Sequence, residues 1–87
     1  MNEPTRSRRE TIRLNNAQDR PLLLCLEPLG EQLEMGPGGT YEVVTVGGAE
    51  CPLEFIFEPG KVVVYGWTNS ESAVFHEGRR IAGSIVD

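Results

Sequence analysis

Short apolar runs, cut at close intervals by proline and glycine, dominate this chain from Glu10 onward. No window sustains the i, i+3, i+4, i+7 spacing that a long helix requires. Residues 11–14 place Ile12 and Leu14 on one face, and Asn15-Asn16-Ala17-Gln18-Asp19 then makes a polar turn before Pro21. Residues 22–26 (Leu-Leu-Leu-Cys-Leu) are apolar without interruption, which predicts a central strand covered on both faces and ending at the turn Glu27-Pro28-Leu29-Gly30. Residues 32–35 alternate and stop at Gly36-Pro37-Gly38-Gly39, where Pro37 presets φ for a turn and Gly38 suits its positive-φ position. A further strand is predicted over 41–46, followed by a connection through Gly47-Gly48-Ala49-Glu50-Cys51-Pro52. Residues 53–57 set Leu53, Phe55 and Phe57 on one face and Glu54 on the other, so the phenylalanine face is expected in the core.

Glu58-Pro59-Gly60-Lys61 holds Pro-Gly at the two central positions of a turn. It predicts a tight reversal into residues 62–65 and an antiparallel pair with the strand before it. Residues 73–76 and 80–82 flank Glu77-Gly78-Arg79, a loop suited to a last hairpin. The fold class expected is all-β: a small antiparallel β-sandwich of seven to eight short strands, of jelly-roll or Greek-key type. Residues 1–9, polar and containing Pro4, are expected as a disordered leader, with a single sandwich domain over 10–87.

At 87 residues the chain fits one domain. A domain of that size buries only about 60–65% of its unfolded surface, so nearly every large apolar side chain serves the core and few are left to line a deep pocket. An autonomous enzyme is therefore not expected. No apolar run follows the N-terminal Met-Asn-Glu-Pro-Thr-Arg-Ser-Arg-Arg, and the residues after Arg8-Arg9 are not the long apolar stretch of a twin-arginine signal. A cytoplasmic location of bacterial type is the expectation, with no membrane association.

Cys25 and Cys51 stand far apart with no histidine near either, so reduced, buried thiols are expected rather than a zinc site, and a disulfide between them is the minor alternative. The net charge of −5 divides unevenly: residues 1–20 carry five arginines against Glu3, Glu10 and Asp19, a balance of +2. Residues 21–87 carry three basic and ten acidic groups, a balance of −7. An acidic body repels phosphate backbones, and nucleic acid is not an expected partner.

The chemistry-bearing residues each have a plainer structural reading. Gly36-Pro37-Gly38-Gly39-Thr40 lacks the Gly-Lys-Ser/Thr and following helix of a phosphate loop, because Tyr41-Glu42-Val43 continues as strand. His76 is the sole histidine, whereas hydrolytic triads need a nucleophile and an acid beside it and cupin or blue-copper sites need further imidazoles. The carboxylates Glu27, Glu31 and Glu34, and Glu54 and Glu58, flank two turns and read as a solvated face rather than a glycosidase pair or a calcium loop. No catalytic, cofactor-binding or metal-ligating residue is assigned.

The candidate interaction residues are Tyr65, Trp67, Asn69, Glu54 and Val63. Tyr65-Gly66-Trp67-Thr68-Asn69-Ser70 sets two aromatics around a glycine beside polar loop residues, a platform for a ligand or else a plug at the open end of the core. Val62-Val63-Val64-Tyr65 offers a route to a homodimer if it lies at a sheet edge, with Glu58, Pro59 and Lys61 as guards against uncontrolled pairing.

The run Leu24-Cys25-Leu26-Glu27-Pro28-Leu29-Gly30-Glu31, then Leu33, Gly36-Pro37-Gly38 and Tyr41-Glu42-Val43-Val44, resembles small bacterial β-sandwich proteins of unknown function over about residues 12–65. Its strand and turn spacing also resembles the β domain of the von Hippel–Lindau protein, a partner-binding sandwich, and no binding residue is carried over from it. The function expected is a non-enzymatic interaction module that binds another protein. The alternative is a small-ligand or carbohydrate-binding accessory domain using Tyr65 and Trp67, and an enzyme built on an unrecognised carboxylate pair ranks third.

Overall fold

Eight strands are present and no helix among the described residues of the computed structural model, 8–47, 53–66 and 70–85. In chain order they are β1 (Arg8–Asn15), β2 (Leu22–Glu27), β3 (Glu31–Met35), β4 (Thr40–Gly47), β5 (Glu54–Glu58), β6 (Lys61–Tyr65), β7 (Ser70–His76) and β8 (Arg79–Gly83). They form two four-stranded sheets packed together as a small sandwich. The first has the order β1-β4-β7-β8 and the second the order β3-β2-β6-β5.

Polarity sets the order of the second sheet. It consists of two hairpins, β2–β3 and β5–β6, and each turns its more polar strand outward. Leu-Leu-Leu-Cys-Leu of β2 and Val-Val-Val of β6 are apolar on both faces and take the two central places, while Glu-Gln-Leu-Glu-Met and Glu-Phe-Ile-Phe-Glu take the edges. The abutting strands β2 and β6 consequently run parallel, with Leu24 beside Val62 and Leu26 beside Val64.

That pair corrects the expectation of a wholly antiparallel sandwich: the first sheet is antiparallel and the second is mixed. The condition on which residues 62–65 offered a route to a homodimer is not met, because β6 lies inside the sheet and the edge beside it is β5. The interior position expected for residues 22–26 is found.

The inner faces close on Leu24, Leu26, Met35, Tyr41, Val43, Val62, Val64 and Val74, with Leu14, Leu22, Leu33, Leu53, Phe55 and Ala82 packed around them. Phe57 departs from the expected phenylalanine face. Its register partner Val62 is a core residue, yet Phe57 itself is 74% exposed. The reason is position: β5 is the outermost strand of its sheet, and Phe57 stands next to its terminal hairpin. The other side of the sandwich is closed, since β3 and β8 approach each other and the Gly83 N–H donates to Glu31 Oε1 at 2.8 Å.

The turns follow the sequence. Pro59-Gly60 joins β5 to β6 with Gly60 at φ 74°, the positive value that the second central position of a type II turn requires. The Gly36–Gly39 turn closes with Gly39 N–H donating to the Gly36 carbonyl at 3.1 Å. Residues 77–78 join β7 to β8 as a two-residue hairpin loop. At the N-terminal end, β1 begins at Arg8, two residues before the expected start of the fold, because Arg8 and Arg9 continue the ladder opposite Gly47 and Val46.

One polar side chain is buried where the chain crosses between sheets. Asn16, 1% exposed, donates from Nδ2 to the carbonyls of Arg20 (2.9 Å), Met35 (3.0 Å) and Gly36 (3.2 Å), and its Oδ1 accepts from the Gln18 N–H at 3.1 Å. Its backbone pairs with Gly38 and Gly39 as well. An Asn16→Ala variant strands the buried Met35 carbonyl and the part-buried carbonyls of Arg20 and Gly36, and is expected to lose about 2–3 kcal/mol of unfolding free energy in urea denaturation.

A second close approach lies at Gly83, φ 74°, where a Cβ would collide with the Ser72 carbonyl oxygen and meet the Ala73 Cα at 2.8 Å. Gly83→Ala is expected to cost on the order of 2 kcal/mol or more. The loss should appear first as faster amide exchange in β8, whereas a variant as stable as the parent would contradict the packing described.

Candidate functional site on the outer face of the second sheet

Three of the five candidate residues come together. Glu54 and Tyr65 are register partners across β5 and β6, and Val63 lies two residues before Tyr65 on the same face. Trp67 and Asn69 lie outside the described residues, as does Cys51.

Strand register assembles the rest of this face, which points away from the core. Its middle row runs Ile56, Val63, Cys25, Gln32 across β5, β6, β2 and β3. One flanking row is Glu54, Tyr65, Glu27, and the other is Glu58, Lys61, Leu23, Glu34. Alternation along each strand forces this arrangement, because Phe55, Val62, Val64, Leu24 and Leu26 turn the opposite way into the core.

The face is apolar along its middle and acidic at both borders. Val63 and Cys25 are buried, while Ile56 and Tyr65 are 36% and 40% exposed. Four glutamates stand against one lysine, and Lys61 Nζ is engaged by Glu58 at 3.6 Å. Cys25 is a free, buried thiol, as expected for it. Sequence reasoning missed Ile56, Cys25 and Gln32 as members of the site, since only pairing across four strands brings them into one row with Val63.

His76 has its own set of contacts. The His76 ring stacks on Tyr41 with centroids 4.3 Å apart and planes 18° from parallel. His76 Nδ1 lies 3.0 Å from the Thr40 carbonyl, and since a carbonyl only accepts, Nδ1 is the protonated nitrogen there. The Tyr41 hydroxyl in turn accepts from the Gly36 N–H at 2.9 Å, so this cluster braces the crossover at residues 36–40. At the opposite end of the inner face, Thr45 and Ser72 share a buried hydroxyl–hydroxyl bond of 2.8 Å.

A shallow depression of about 290 Å³ lies on the outer face of the first sheet, lined by Arg13, Thr40, Glu42, Phe75, Glu77 and Gly78. It falls at the bottom of the size range of small-molecule sites. The Arg13–Glu42 ion pair, 3.9 Å between Nη2 and Oε2, lies in its wall. Among the described residues no group of three or more His, Cys, Asp or Glu side chains could hold a metal ion, and no helix is long and apolar enough to cross a membrane. No protein-family model, curated protein or solved structure matches the chain.

Proposed function

We propose that the chain is a non-enzymatic binding module that docks a protein partner on the outer face of the second sheet. The observation that carries this reading is the exposed pair Ile56 and Tyr65, which stand beside the buried Val63 and Cys25 on a face bordered by four glutamates. An aromatic and an aliphatic anchor beside charged borders is the anatomy of a protein interface, in which central apolar contacts hold and peripheral charges steer. The complementary partner surface presents an apolar ridge with lysine or arginine on both sides of it.

The alternative, a carbohydrate-binding accessory domain, draws on the same Tyr65 ring and adds Trp67. Iodide quenching separates the two, since a solvent-exposed indole is quenched readily and a buried one is not.

Chemical-shift mapping of the labelled chain against cell-lysate fractions tests the docking reading. The expected result is shifts at the amides of Cys25, Ile56, Val63 and Tyr65 that weaken as salt rises from about 50 to 500 mM. Tyr65→Ala should weaken the complex by about 1–2 kcal/mol, and Glu54→Lys with Glu58→Lys should slow association. Shifts confined to the first sheet, or binding indifferent to all three substitutions, would sink the proposal.

A further inference from the structure

Of the four sheet edges, β5 is the one built for pairing. On the closed side, β3 and β8 approach each other and are tied by the Gly83–Glu31 hydrogen bond. The remaining edge of the first sheet, β1, alternates charge into its ladder through Arg9 and Arg13. Strand β5 instead carries three consecutive apolar residues, Phe55-Ile56-Phe57, of which Ile56 is 36% and Phe57 74% exposed. Among the described residues it pairs only with β6.

The ladder also fixes which backbone groups are free. The two-residue loop Pro59-Gly60 makes Glu58–Lys61 the closing pair, so residues 58, 56 and 54 bond inward to β6 and Phe55 and Phe57 direct their N–H and C=O groups outward.

We propose that β5 pairs antiparallel with β5 of a second copy, with Phe55 opposite Phe55, joining two four-stranded sheets into one of eight. Charge selects the register. Centring the pair on Ile56 would set Glu54 directly opposite Glu58 twice, and centring it on Phe57 would oppose Phe55 to the turn residue Pro59. Centring it on Phe55 faces each Glu54 with Ile56 of the other copy and each Phe57 with Leu53, so no like charges meet and the most exposed aromatic is covered. The two-fold symmetry is isologous and closes at two copies. The contact is one short strand on each side, well below a standard interface, and dimerisation is expected at roughly 10 µM to 1 mM. This inference does not rest on the docking reading, because it is argued from the backbone edge of β5 and the exposure of Phe57, although the pair also brings Glu54 and Ile56 of the acidic-bordered face together across the seam.

Sedimentation velocity of the full chain under reducing conditions, over about 10 µM to 1 mM, tests it. The expected result is a reversible monomer–dimer equilibrium, with concentration-dependent amide shifts centred on Phe55 and Phe57. Phe57→Pro removes an N–H that points to solvent in the monomer and should weaken association about tenfold or more. Should that variant fail to fold, Phe57→Glu retains the backbone donor and should weaken it as well. A chain still monomeric at about 1 mM, association untouched by either substitution, or shifts confined to β1 or β8 would each overturn the proposal.

Discussion

Asn16 stands at the point where the chain crosses twice between the sheets, once from β1 to β2 and once from β3 to β4. Its amide holds the Met35 and Gly36 carbonyls of the second crossing while its own backbone belongs to the first. Crossovers leave backbone groups that no ladder satisfies, and burying them unpaired would be costly. One four-contact side chain resolves both crossings, and the His76–Tyr41–Gly36 contacts brace the same end. That knot ties the two sheets together at one end of the Leu24–Val43–Val62 core.

With the crossings held, the second sheet is arranged by polarity. Each of its hairpins has one strand apolar on both faces and one that is not, and the two apolar strands come together in the centre. This gathers Val63 and Cys25 into a row away from the core and leaves glutamates on both borders. The same preference exiles β5 to the margin with an uncovered phenylalanine. The proposed docking face and the proposed self-pairing edge are thus two results of one sorting, and they meet at Glu54 and Ile56 of β5.

The strands and turns were legible because they rest on local chemistry. Pro59-Gly60 could make little but a tight reversal, and the unbroken apolarity of residues 22–26 suited only an interior strand. The candidate site was legible in part. Glu54, Val63 and Tyr65 were singled out for unrelated reasons, as a charge, a sticky segment and an aromatic, and their common face emerged only with the register of β5 against β6. Phe57 misled for the opposite reason: its alternation with Phe55 is that of a core residue, and period two reports which side a residue faces without reporting whether anything lies above it.

What the sequence determined by itself is the inventory of eight extended segments, their reversals and the side to which each residue turns, since these follow from φ/ψ preferences and a two-residue period. What only the tertiary structure decided is neighbourhood: β6 beside β2 in parallel, Asn16 buried at a double crossing, Ile56 aligned with Cys25. Neighbourhood depends on contacts between residues distant in the chain, where hydrophobic burial is non-directional and cannot be read from any one segment.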